Sequence, residues 1–257
     1  MPPPPIPVTP LTPADVVAAV RGAGVGRGEP VAVVVLPAVG LGLAAGSRRW
    51  SVPCAAPSDL VAEVERAVRP RWVWWSASAV RALVADGVFV AACWDLAAVH
   101  RVLRGGRRSD PAAVWAASHG RPEPPAPSGR HEVSSPPTLL DLARFAEEAD
   151  LDAGPVGPDG LLRPEWAEET WRRDGWGSPA RVLGRAATWA GLALEVHRRQ
   201  AEAIAALPDP RPEGRTPALA TLTARAESAA ALLACELERD GLPIDLPTAE
   251  AFVASYI

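Results

Sequence analysis

Apolar residues recur along the chain in short blocks punctuated by glycine, proline and serine, and the spacing inside each block predicts its element. After the start MPPPPIPVTP, Thr12 stands at a helix cap with Pro13 in the first helical position and Asp15 near the positive end. This predicts a helix from Thr12 to Ala23, stopped by Gly22, Gly24, Gly26 and Gly28. The β-branched block Val31 to Leu36, the run Val39 to Ala45 and the stretch Arg48 to Pro53 around Trp50 and Val52 then predict an antiparallel meander. Its turns fall at Pro37-Ala38 and Gly46-Ser47.

The period changes at Ser58, which predicts a capped helix to about Val68 with Leu60, Val61, Val64 and Val68 on one face. A buried strand follows at Trp72 to Trp75, then a helix from Ser76 to Asp86 closed by Gly87, then a strand from Val88 to Trp94. A strand, helix and strand in so short a span imply a parallel pair joined by a crossover. Short helices are expected at Asp95 to Leu103 and Asp110 to Ser118, and a flexible Pro-rich and Ser-rich loop at Arg121 to Pro137. Helices are predicted again at Leu139 to Ala149, Pro164 to Arg173 and Pro179 to Ala206. The Pro-rich break at Leu207 to Pro217 reads as a domain boundary. Beyond it come an amphipathic helix from Ala218 to Asp240 ended by Gly241, an extended piece at Leu242 to Asp245, and a helix from Pro247 that reads as cut off at Ile257.

Composition adds little chemistry. The chain has 257 residues, 48% of them apolar, and 26 basic against 30 acidic residues give a net charge of −4. That balance offers no global electrostatic argument for a nucleic-acid partner. All the basic residues are arginine, and alanine, proline and glycine abound, as in GC-rich coding sequence. Cys54, Cys93 and Cys235 lie far apart with no metal-ligand spacing, which fits a reduced, cytoplasmic protein. No stretch reads as an export signal or a membrane span, and a monomer is expected.

Two segments carry a family resemblance. The first runs from Arg71 through Trp72-Val73-Trp74-Trp75 and Ser76 to Gly87, ending in Cys93-Trp94-Asp95-Leu96. It resembles the second exonuclease motif of the DNA polymerase I family. The second, Ala226-Glu227 through the apolar helix to Glu238-Arg239-Asp240-Gly241-Leu242-Pro243-Ile244-Asp245, resembles that family's entry into the polymerase domain. Their order, and the Trp-rich first segment, look like the actinobacterial group of bifunctional 3'-5' exonuclease/DNA polymerases. The resemblance implies an α/β, ribonuclease-H-like exonuclease domain with a mixed sheet, followed by a helical segment that begins the polymerase. It divides the chain into a tail and first helix (1–28), an exonuclease-like domain (29–206, with 121–137 as insert), a linker (207–217) and a truncated polymerase start (218–257).

The same resemblance implies that the exonuclease chemistry is lost. A two-metal nuclease needs carboxylates around two divalent ions. Between Glu29 and Asp59 there is no acidic residue, so Val34 to Pro37 stands where the first acids belong. Ala79 replaces the second motif's aspartate, and in the third motif Trp189 replaces the tyrosine and Ala193 the aspartate. No catalytic, metal or cofactor residue is therefore expected in this chain. The full-length protein is expected to use magnesium and a DNA template-primer. Two alternatives stand beside this reading: an active nuclease with a rearranged acid set (Asp86, Asp95 and Glu195), and a stand-alone interaction domain.

Other features have plainer readings. Trp72, Trp74, Trp75 and Trp94 sit in predicted strands and are expected in the core rather than on bases. Gly40, Gly42 and Gly46 follow a strand, but the strand around Trp50 comes too soon for a dinucleotide fingerprint. His100, His119, His131 and His197 have no ligand partner in sequence, and Arg104, Arg107, Arg108, Arg172, Arg173, Arg198 and Arg199 fit a solvated helical face as well as phosphate contacts.

Overall fold

The computed structural model describes residues 7–126, 154–172, 178–211, 215–242 and 244–255. Six strands form one mixed sheet in the order β1-β4-β3-β2-β5-β6. They are β1 (Val8–Pro10), β2 (Pro30–Leu36), β3 (Gly40–Ala45), β4 (Arg48–Pro53), β5 (Arg71–Trp74) and β6 (Cys93–Asp95). The predicted meander is present: β2 pairs antiparallel with β3, and β3 with β4. The crossover is present too, since β2, β5 and β6 run parallel.

Strand alternation divides the core in two. Val31, Val33, Val35, Leu41, Leu43, Trp50, Val52, Trp72 and Trp74 enter one cluster, under α1 (Val16–Gly22), α2 (Pro57–Val68) and α3 (Arg81–Ala85). Their neighbours of opposite parity, Ala32, Val34, Leu36, Ala44, Val73 and Trp94, enter the other. That second face carries α4 (Leu96–Arg104), α5 (Pro111–Ser118), α6 (Pro164–Ala167) and the long α7 (Pro179–Ala205). With both faces covered, β2 is apolar throughout.

Glycine lets α7 approach. On β3, Leu41 and Leu43 fill the first cluster while Gly42 faces the helix, where a Cβ would lie 2.2 Å from the carbonyl carbon of Ala186. The glycines of this strand are thus a packing device, which accounts for their spacing without a cofactor.

The helix α8 (Leu219–Asp240) returns across the sheet's outer strand β6. Ala224 belongs to the second cluster and Leu232 and Cys235 to the first. Ser228 is fully buried; its hydroxyl accepts from the Asp95 amide at 3.0 Å and donates to the Ala224 carbonyl at 2.8 Å. The irregular described residues 207–211 and 215–218 therefore precede a helix that packs onto the same sheet. A last helix, α9 (Leu246–Ala254), buries none of its residues.

Several elements differ from expectation, each for a local reason. The proline-rich start contributes β1, which pairs parallel with β4 through Val8 and Arg49. Thr12 gives its hydroxyl to the Asp15 carboxylate at 2.6 Å instead of capping, and the first turn, Pro13–Asp15, is a 3-10 turn. Ser58 lies inside α2 and donates to Asp86 at the end of α3, a half-buried tie rather than a cap. The predicted helix from Ser76 to Asp86 divides into a 3-10 turn, Ala77–Val80, and α3. The predicted strand Val88 to Trp94 shrinks to β6, because Phe89 stays exposed under the Arg239 guanidinium, 5.1 Å from its ring centroid. The helix expected at Pro164 to Arg173 breaks at Glu169, whose φ of 53° is left-handed. The expected helix Leu139 to Ala149 and the loop beyond residue 126 lie outside the described residues. Among the described residues no helix is long and apolar enough to cross a membrane.

Candidate functional site

Several of the positions that the sequence singles out for nuclease ligands lie around Trp75. Trp189, on the sheet side of α7, stacks on Trp75 just past β5, with ring centroids 4.3 Å apart, and the Trp75 indole donates to the Trp189 carbonyl at 3.3 Å. Val34 and Ala193 are buried in the same apolar cluster. Beside it opens a pocket of about 430 Å3, lined among others by Val35, Pro37, Ser76, Ala79, Glu169 and Arg172.

The donor set of this pocket does not suit a pair of divalent ions. Val34 to Pro37, Ala79, Trp189 and Ala193 offer no oxygen side chain, and two of the three carboxylates that line the pocket, Glu169 and Asp110, are engaged. Glu169 accepts from the Trp189 indole at 2.9 Å and pairs with Arg172 at 2.8 Å. Burial lowers the pKa of Arg172, opposed by Glu169, and the pair sets a cation at the pocket wall. Asp110 also lines the pocket, caps α5 through the Ala113 amide and pairs with Arg108 at 2.9 Å. Burial alone would raise its pKa, but the hydrogen bonds from Arg108 and Ala113 outweigh burial and hold it low.

The rearranged acid set is not assembled. Asp86 accepts from Ser58. Asp95 is 1% exposed and caps α4, accepting from the Ala98 amide at 2.8 Å and the Trp74 indole at 3.2 Å. Burial raises its pKa, with the Ala98 and Trp74 hydrogen bonds acting in the opposite sense. Glu195 instead faces His119, with Oε1 3.0 Å from Nε2, and Arg199 at 3.3 Å. The His119 hydrogen bond is the main reason its pKa falls. Among the described residues no three His, Cys, Asp or Glu side chains gather closely enough to hold a metal ion.

Tryptophan and histidine behave as packing residues. Trp72, Trp74, Trp75 and Trp94 are all buried. His119 stacks on Trp115, and His197 meets Trp94 edge-on with centroids 4.9 Å apart. His131 and Arg173 lie outside the described residues. Arg108, Arg172, Arg198 and Arg199 each pair with a carboxylate, which leaves them little freedom for phosphate.

The pairing of Glu195 with His119 escaped sequence reasoning because the two lie 76 positions apart. Glu169 carries no distinguishing signal in the sequence, because its role depends on the backbone break at that residue. No family model, no curated protein and no solved structure matches this chain.

Proposed function

We propose that the chain is a non-catalytic, exonuclease-like scaffold domain of a DNA polymerase I-like protein of the actinobacterial kind. The full-length protein would carry out magnesium-dependent, DNA-templated DNA synthesis in replication or repair, in the cytoplasm. One observation carries this reading. Val35, Pro37 and Ala79, far apart in sequence, line one pocket with Trp75, Trp189 stacks on Trp75, Val34 and Ala193 lie in the same buried cluster as that stack, and none of these residues is a carboxylate. The element order, a meander followed by two parallel strands with helices between them, is also the order of the ribonuclease-H-like exonuclease fold.

In this reading the tryptophan stack and the Glu169–Arg172 pair stand on the wall where metal ligands would be needed, so the domain keeps its architecture and loses its reaction. Its role is then mechanical, holding neighbouring domains and helping to guide template-primer DNA.

The test has two arms. A three-prime-labelled single-stranded oligonucleotide incubated with the purified chain and magnesium or manganese should remain intact; metal-dependent shortening, abolished by Asp95→Ala, would overturn the non-catalytic assignment. The reading frame beyond Ile257 should continue into a polymerase; a stop codon there would favour a stand-alone interaction domain. One observation favours that second reading: Leu233, Leu237, Ile244, Leu246, Phe252 and Val253 are exposed near one another in sequence on α8, α9 and their connection.

A further inference from the structure

A second and larger pocket lies away from the nuclease-like positions. It opens between the β3–β4 turn and the last turns of α7, has a volume of about 730 Å3, and is lined among others by Ala44, Arg49, Gly191, Leu194, Ala201 and Ala205. That volume is within the range of small-molecule sites, about 300 to 1,000 Å3. Its lining sets apolar surface from Ala44, Leu194, Ala201 and Ala205 beside five charged residues, Arg48, Arg49, Glu195, Arg198 and Glu202.

Arg49 is the unusual member. Strand parity turns Trp50 and Val52 into the first core cluster and sends Arg49 the other way, against α7. The helix makes room for it: a Cβ on Gly191 would lie 2.2 Å from Arg49 Nε. Burial lowers the pKa of Arg49, and the attraction of Glu195, which lines the same pocket without a hydrogen bond to Arg49, only partly offsets this.

The acids of the pocket are committed elsewhere. Glu195 is held by His119 and Arg199, and Glu202 pairs with Arg198. Arg49 donates no side-chain hydrogen bond among the described residues, although a guanidinium offers five N–H donors in a planar fork. A half-buried cation without a hydrogen-bonded counter-ion is costly, and a carboxylate or phosphate meeting that fork bidentately removes the cost. His197, also at the pocket, has its pKa lowered by burial and then by Arg71, so it is neutral near pH 7 and adds no competing charge.

The geometry points to a binding site for a small amphipathic anion, with its carboxylate or phosphate head on Arg49 and its apolar body along Ala44, Leu194, Ala201 and Ala205. This inference is independent of the proposed scaffold role, and neither result of the nuclease assay bears on it.

Titration calorimetry of the purified chain against decanoate, decyl phosphate, decanol and inorganic phosphate tests it. Decanoate or decyl phosphate should bind, whichever is tighter naming the head group, and decanol and inorganic phosphate should each bind at least about tenfold more weakly. Arg49→Met should weaken the favoured anion by about tenfold or more, and Arg49→Lys should recover part of that loss, because it keeps the charge without the fork. Ala205→Trp, at an exposed position on the pocket rim, should block binding while leaving Arg49 and the core in place. Circular dichroism and the thermal midpoint establish that each variant is folded. Decanol binding as tightly as decanoate, unchanged binding by folded Arg49→Met, or no binding of either anion overturns the proposal.

Discussion

The indole of Trp75 lies on that of Trp189 with their planes 19° from parallel, joining the end of a parallel strand to the middle of the longest helix. Both rings are buried, and Trp166 approaches Trp189 from a third element at 6.0 Å between centroids. Trp189→Ala should cost about 3–5 kcal/mol, as for other large aromatic truncations. Trp189→Phe should cost less, because it keeps most of the ring but loses the bond to Glu169. A double-mutant cycle with Trp75→Ala in urea should give a coupling of about 0.5–1.5 kcal/mol.

Gly42 is a point of close approach between β3 and α7. A methyl group there meets backbone atoms of Ala186 and Ala187, not a side chain that can swing away. Gly42→Ala should therefore destabilise by about 3 kcal/mol or more, at or beyond the upper end of ordinary overpacking. Gly26→Ala, where a Cβ meets nothing within 4 Å, should stay within about 0.5 kcal/mol. Equilibrium denaturation of the two variants side by side measures the difference.

His197 makes stability depend on pH. Its folded pKa is lowered to about 4, whereas an unfolded histidine titrates near 6.5. Between those values the unfolded chain takes up a proton that the folded chain refuses, so stability falls as pH drops from about 6.5 to about 4. Because the ring is partly exposed, the effect should be no more than about 1 kcal/mol. Thermal midpoints across that window should fall more steeply for the wild type than for His197→Gln.

Ser228 tests how firmly α8 belongs to the sheet. Ser228→Ala leaves the buried Asp95 amide without its partner and should cost about 1–3 kcal/mol. A cost near zero in chemical denaturation would mean that this helix opens before the rest of the chain unfolds.

The meander was legible because its turns are marked by Pro37, Gly46 and their neighbours, and because β2 is a run of β-branched residues that suits burial on both faces. The tryptophans of β5 were legible as core for the same reason. What could not be read depended on distant partners. Val8–Pro10 is too short and too proline-rich to announce a strand, and it exists because β4 offers it a parallel neighbour. The small residues Ala224 and Ser228 gave no hint that α8 would close on β6, since their contribution is proximity, not apolar bulk. In the pocket beside Trp75 the absence of acids from Val34 to Pro37 and at Ala79 could be read from sequence, but the Glu169–Arg172 pair could not, because it needs the left-handed residue at its start. Arg49 left one faint trace, a charged residue at a helix-facing strand position, and its significance lies in Gly191, far along the chain.

The serine on α8 also changes what the sheet can do to other molecules. An outer strand with free amides is a template on which another chain can add itself, and proteins that leave such strands open are prone to aggregate. Here β6 has only three residues and its last amide is already held by Ser228, while the opposite margin is the short β1, which ends in Pro10. Both margins of the sheet are thus poor templates, and a serine buried for packing doubles as a guard against edge-to-edge association.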